Sequence, residues 1–350
     1  MIQRLREAQM KAGAVFAVES IVPISFANGD VAIQAAQTDV AICDRSHWGR
    51  IQITDTDRQT FLHNQSTNDI NGLNPGQGCD TVIVTSTART IDLATAYVLD
   101  DAVLLIVSPN RREKLLTWFD RYIFFGDKVT LTDLTPATAM FSVIGPASPA
   151  LLETLGAGAI AAQPYGNHQI VDLAGQEVRI AVGSGLGLQG FTLLMQAESA
   201  AIVWEQIVAA AAVPLGDRDW DQLRIEQGRP MPDRELTEDY NPLEAGLWQA
   251  ISFNKGCYIG QETIARLDTY KGVKQQLWGV RLSAMVAPGT SIMLQDEKVG
   301  ILTSLTQTKH GAVGLAYLRT KAGGAGLTVK IGDSDAEVIS VPFLTHNRGV

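Results

Sequence analysis

The sequence predicts an α+β fold with antiparallel sheets, followed by a C-terminal antiparallel β-barrel. Three observations carry this. Strand-like alternation recurs through the first 200 residues, with helical stretches between only some of the strands. Strict β-α alternation, the mark of a doubly wound sheet, is absent. From Gln275 onward short apolar-alternating runs are punctuated by Gly or Pro, with no helical pattern among them.

In chain order, the predicted strands are Thr81–Ser86, Thr95–Leu99, Val103–Ser108, Phe141–Ile144, Ile170–Leu173, Glu177–Ala181 and Phe191–Met195. Met1–Gly13 reads as a short helix with Ile2, Leu5 and Met10 on one side. Thr56–Asn64 follows Thr54 and Asp55, either of which could cap a helix. Arg111–Tyr122 places Leu115, Leu116, Phe119 and Tyr122 on one side. Ser148–Leu155 and Ser199–Ala212 are two further helices. The tail strands are Leu277–Leu282, Ser291–Leu294, Lys298–Thr306, Gly311–Leu318, Leu327–Ile331 and Ala336–Val341. A length of 350 residues suggests two or three domains at about 100–200 residues each. The pattern break at Tyr270-Lys271-Gly272 marks the start of the last domain, and the expected division is 1–135, 136–272 and 273–350.

Composition narrows the function classes. At 46% hydrophobic and 19% charged, the chain has apolar material for a core and too little charge for disorder. A net charge of −9 speaks against direct nucleic-acid binding, which needs concentrated positive charge. Cys43, Cys79 and Cys257 form neither an even disulfide set nor a CxxC pair, so a reducing compartment is expected. No apolar h-region and no 18-residue apolar run occurs, so the expectation is a soluble cytoplasmic protein with no membrane contact.

Most motif-like strings have bland readings. Gly185-Leu186-Gly187-Leu188-Gln189-Gly190 fits GxGxxG, but Phe191–Met195 after it reads as a strand. A dinucleotide loop needs a helix there, so a glycine-rich turn is expected instead. The five histidines lack metal-ligand spacing, and no GxSxG elbow is present. The dense stretch is Leu223–Tyr270, ending in Lys255-Gly256-Cys257-Tyr258-Ile259-Gly260-Gln261-Glu262. Gln261–Tyr270 reads as a helix, with Ile264 and Leu267 on one face and Glu262 and Arg266 as an i,i+4 pair. Cys257 then sits just before a helix N-terminus and two residues from Lys255, both of which favour a thiolate. The other reading is a small buried cysteine in a glycine-rich turn.

That eight-residue string resembles the K-G-C-Y-x-G-Q-E signature of the YgfZ family of folate-binding proteins. These are relatives of the glycine cleavage T-protein, an aminomethyltransferase. Leu223–Gly228 resembles the R-[LI]-E-x-G segment of that superfamily, and Asn241–Leu247 its P-x-E-A-G-L segment. Val40–Gly49 and Phe61–Ile70 resemble two of its upstream segments, so the likeness runs roughly from Pro23 to Val341. The resemblance implies two interlocked α+β domains and a C-terminal barrel around a central folate cavity. It implies tetrahydrofolate or a derivative as cofactor, and support of iron–sulfur cluster assembly or repair, and thereby of tRNA modification. Partners would be folate and iron–sulfur proteins or their assembly machinery. It assigns Cys257 and Lys255 to the reaction, with Lys255 lowering the thiol pKa. It assigns Asp92, Arg224, Glu226, Tyr258, Gln261 and Glu262 to the cofactor, with Arg224 meeting the folate and Gln261 and Glu262 orienting the loop.

Two positions depart from the T-protein pattern. Its G-G-x-x-D-D segment corresponds to Ala88–Leu93, so Asp92 remains and Leu93 replaces the second acid. Leu188 stands where a T-protein carries the pterin-binding Glu. The missing carboxylates would have oriented a pterin and handled protons, which argues against glycine cleavage as the activity.

Overall fold

The computed structural model describes residues 2–347. Met1, the side chain of Ile2 and residues 348–350, which belong to the predicted first helix and last domain, lie outside the described residues. The chain divides into two compact units. One holds Met1–Gln59, Gly72–Cys79 and Thr95–Leu223, and the other Thr60–Asn71, Asp80–Ala94 and Arg224–Val350.

The chain opens with α1 (Ile2–Lys11), α2 (Gly29–Thr38), β1 (Ala41–Asp44), β2 (Gly49–Thr54) and α3 (Arg58–Gln65). Next come β3 (Gly78–Val84), β4 (Thr90–Val98), β5 (Ala102–Val107), α4 (Arg112–Asp120), β6 (Thr130–Asp133) and β7 (Thr138–Ile144). They are followed by α5 (Ser148–Thr154), β8 (His168–Leu173), β9 (Gln176–Val182), β10 (Gly190–Gln196), α6 (Ala200–Ala209), β11 (Val213–Leu215) and α7 (Asp217–Gln227). After α8 (Gln261–Thr269), the tail holds β12 (Gln275–Leu282), β13 (Ser291–Leu294), β14 (Glu297–Thr308), β15 (Gly311–Arg319), β16 (Thr328–Ile331) and β17 (Ser334–Ile339).

In the first unit a six-stranded sheet runs β11-β1-β7-β10-β9-β8. All its pairs are antiparallel except β1 with β11. The middle of this sheet is buried on both faces, which explains the near-continuous apolar runs of β7 and β10. Trp204 of α6 anchors one face, meeting Phe141 edge-on with ring centres 5.5 Å apart and stacking on Phe26 at 5.8 Å. The glycine string 185–190 is a turn that feeds β10, closed by the Ser184 hydroxyl donating to the Leu188 carbonyl at 2.7 Å. A second sheet runs β3-β4-β5-β2-β6. The unit boundary cuts its β3–β4 hairpin, whose tip, Asp80–Ala94, belongs to the second unit.

The second unit carries the barrel, closed in the order β12-β15-β14-β13-β16-β17. Alternate residues such as Val280, Leu282, Leu302, Ala316, Val329 and Val338 fill its interior. A bulge in β14 leaves Thr303 without a ladder partner and aims the buried Ser304 away from the regular register. The predicted α+β class with antiparallel sheets and a terminal barrel is the architecture found. The residue pattern did not name α2 or α7. No helix among the described residues is long and apolar enough to cross a membrane.

Candidate functional site: the Cys257 loop

The motif residues and their immediate partners all lie in the second unit. Gly260 is the residue before α8 and takes φ +82°, the left-handed region in which a side chain is strained. A Cβ there would stand 2.8 Å from the Thr85 carbonyl oxygen and 3.1 Å from Ala88 Cα, at the tip of the β3–β4 hairpin. The glycine thus allows the loop to press against backbone. Gly260→Ala is expected to cost about 1–3 kcal/mol, read as a lower urea midpoint. An unchanged midpoint would show that the hairpin tip yields freely.

The loop before α8 is pinned at several points. Ile259 N–H donates to the Asn64 carbonyl at 2.9 Å. Tyr258 N–H donates to Gln261 Oε1 at 3.1 Å, which links the loop to the first residue of α8. Burial pushes the Tyr258 phenol up to about 12, so it stays protonated near neutrality. Ile264 is fully buried with Leu243, Ile251 and Ala88, and Leu267 packs against this cluster. Glu262 and Arg266 are exposed and form no ion pair, contrary to the spacing expectation. An exposed pair gains too little in water to hold two long side chains together.

Lys255 is the main fastener. Its Nζ donates to the carbonyls of His63, Ser66 and Asn68 at 2.5, 2.8 and 2.7 Å, which uses all three ammonium protons. It also lies 4.7 Å from the Tyr258 ring centre. The ammonium therefore ties the end of α3 and the segment after it to the motif loop. Thr67 adds a second tie, its hydroxyl donating to the Ala250 carbonyl at 2.7 Å.

Cys257 itself is exposed, which removes the reading of a small buried cysteine. Cys43 is buried on β1, where burial first and Asp217 second raise its thiol pKa; Cys79 is half-buried. No sequence pattern assigned His63 a role, yet it stands beside this loop. A Cβ on Gly256 would be 3.8 Å from His63 Nε2. His63 Nδ1 lies 3.2 Å from Asp69 Oδ1. Its pKa is lowered, by burial first and then by the Lys255 charge, with Asp69 opposing. Only the position of His63 two residues after Phe61 in the α3 segment hinted at this.

The remaining predicted residues separate. Asp92 is fully buried on β4 within the hairpin tip. Leu93 beside it joins an apolar cluster with Val82, Val84, Leu236 and Leu247. Glu226 is half-buried on α7. Arg224 needs correction. Its side chain and that of Glu235 are both fully buried, with Nη1 donating to Glu235 Oε2 at 2.9 Å and Nη2 to Ser304 Oγ at 3.0 Å. The Ser304 hydroxyl donates to Glu235 Oε1 at 2.5 Å, and Met231 N–H to Oε2 at 3.0 Å. Tyr317 Oη donates to the Glu235 carbonyl at 2.8 Å. A buried arginine needs a buried acid, and here the acid comes from the same unit, so Arg224 has no surface to offer a folate. Among the described residues, no group of three or more His, Cys, Asp or Glu side chains could hold a metal ion.

Comparison with known proteins agrees with this architecture. The chain is 47% identical over 327 residues to "Putative transferase At1g60990, chloroplastic" of Arabidopsis thaliana, covering 93% of this chain and 76% of that one. It is 28% identical to an aminomethyltransferase of Halalkalibacterium halodurans, over 93% and 92% of the two chains. The crystal structure of the glycine cleavage system aminomethyltransferase T from Bartonella henselae superposes with a TM-score of 0.86, covering 99% of each chain at 19% identity. The GCVT N-terminal domain matches residues 6–255. The chain belongs to the GCVT-domain family, with the fold of the T-protein.

Proposed function

We propose that this chain is a folate-binding protein of the YgfZ type, which uses Cys257 as a redox or transfer thiol in support of iron–sulfur enzymes. The observation that carries the reading is the placement of Cys257: exposed, on a loop fixed by Lys255 and Ile259, three residues before the left-handed Gly260 that starts α8. A thiol kept accessible on a rigid loop at a helix start suits chemistry, whereas a packing cysteine is buried. Tetrahydrofolate or a derivative is the cofactor in this reading, with Glu226, Tyr258, Gln261 and Glu262 as its proposed contacts, whereas Asp92 is fully buried as Arg224 is. The iron–sulfur proteins or their assembly machinery are the partners. The compartment is an aqueous and reducing one, cytoplasm or the chloroplast that the Arabidopsis relative's name gives.

The test is complementation of a strain lacking a YgfZ-family protein. Wild type is expected to restore iron–sulfur enzyme activity and Cys257→Ala to restore little. Equal rescue by both removes the thiol from the mechanism.

A second reading, aminomethyl transfer to tetrahydrofolate, draws on the relatives named aminomethyltransferase. Against it stand Leu93, sealed in an apolar cluster, and Leu188, neither of which can accept or donate a proton. Formation of methylene-tetrahydrofolate from an aminomethyl-lipoyl donor would decide in its favour.

A further inference from the structure

Two ties hold the motif loop against the end of α3, and they bracket Cys257. Lys255 Nζ donates to the His63 carbonyl at 2.5 Å, and Ile259 N–H donates to the Asn64 carbonyl at 2.9 Å. The ties reach consecutive residues of α3 from positions two before and two after Cys257. The span 255–259 is therefore looped against His63, with Cys257 at its middle. All of these residues belong to the second unit.

Gly256 keeps the space between them open. Its φ lies outside the left-handed region, so the backbone does not require a glycine there. Crowding does not require one either. An added Cβ would meet only His63 Nε2, at 3.8 Å, an ordinary contact. What the missing side chain leaves open is the edge of the imidazole.

The ring turns its free nitrogen to that opening. His63 is buried, and its Nδ1 lies 3.2 Å from Asp69 Oδ1 and 3.3 Å from the Asn71 amide nitrogen. A carboxylate can only accept, and Asp69 is the shorter and charged contact, so it favours the tautomer with the proton on Nδ1. The lone pair is then on Nε2, which has no hydrogen-bond partner among the described residues. Burial first and the Lys255 charge second lower the His63 pKa, so the ring is neutral near pH 7 and able to take a proton. The charged groups that act on the ring are Lys255 and Asp69. Asp69 stabilises an imidazolium once it forms, and an ammonium two residues from Cys257 favours a thiolate. The Cys257 side chain is exposed and makes no hydrogen bond among the described residues, so rotation about χ1 is free to turn Sγ toward the ring.

We propose that His63 is the proton acceptor of the Cys257 thiol, held in its working tautomer by Asp69. The S–H bond breaks, the proton passes to Nε2, and the bonding pair stays on sulfur as a thiolate beside an imidazolium. Nothing is oxidised or reduced in this step. Asp69 acts through the ring and is a positioning residue. The inference rests on the reading of Cys257 as the working thiol, and it adds the group that makes that thiol reactive near neutrality.

The test is alkylation of the folded full chain by iodoacetamide from about pH 5 to about pH 10, with the rate read at Cys257 by peptide mass mapping. Near neutrality wild type is expected to react about tenfold faster than His63→Gln, a modest general-base effect because a thiol also ionises unaided. The ratio falls toward one in alkali, where the thiol ionises in water, and again in acid, where the ring is already protonated. Because the ring pKa is lowered, the acid-side fall comes below the ordinary histidine value of about 6.5. Asp69→Asn, changed at a half-exposed side chain, is expected to show part of the same loss, and it serves should His63→Gln unfold. Coincident profiles for wild type and His63→Gln overturn the assignment. A rate lowered equally at every pH also overturns it and leaves His63 a packing residue. The complementation assay separates this inference from the reading beneath it. With Cys257→Ala inactive, full rescue by His63→Gln overturns the role of His63 and leaves the thiol standing. Equal rescue by Cys257→Ala overturns the working thiol itself.

Discussion

Arg224→Met is expected to lower the unfolding free energy by about 3–5 kcal/mol, because it leaves the Glu235 carboxylate buried without its cation. The side chains involved are fully buried, so water cannot take the place of the guanidinium. The double variant Arg224→Met/Glu235→Gln is expected to recover part of the loss, since a neutral amide is cheaper to bury than an unpaired charge. Ser304→Ala is the milder probe, should Arg224→Met fail to fold. It removes one donor to Glu235 and one acceptor from Arg224, with an expected cost of about 1–3 kcal/mol. Urea unfolding measures all three. A loss of folate affinity by Arg224→Met at unchanged stability would return this residue to the ligand and refute the structural assignment.

Lys255→Met is the second large effect. The thioether stem keeps much of the volume, but the carbonyls of His63, Ser66 and Asn68 lose a charged donor in one step. Hydrogen bonds from a charged group contribute about 1.5–3 kcal/mol net, and water at this half-buried site offsets part of the loss. The expected cost is about 2 kcal/mol, with faster hydrogen exchange at the Ile259 amide that pairs with Asn64. Lys255→Arg is not expected to rescue, because a planar guanidinium cannot direct three protons to three converging carbonyls. The readout that separates this role from a direct effect on the thiol is alkylation of Cys257 across a pH series. A shifted pH midpoint with stability and exchange unchanged would restore Lys255 to the chemistry.

These two residues show where sequence reading stops. Both sit in motif segments; the resemblance implied a ligand for Arg224, and position beside Cys257 implied a thiolate partner for Lys255. Most of their partners are distant in the chain, Glu235 at 11 residues from Arg224 being the exception. Lys255 meets carbonyls 187 to 192 residues away, and Arg224 meets Ser304 80 residues away through a bulge in β14. No local spacing encodes those meetings. His63 was invisible for the same reason: its Nε2 faces Gly256 only once α3 and the motif loop are brought together.

By itself the sequence determined the α+β class, the barrel after Gln275 and the helix that follows the motif. Each of these is local: alternation of period two, a run of period 3.6, or glycines that permit one backbone conformation. Only the tertiary structure decided which polar groups face solvent and which are consumed in holding the fold. A buried charge or an ammonium will take whichever partner the packed chain brings within hydrogen-bond reach, and that choice is made by the fold as a whole.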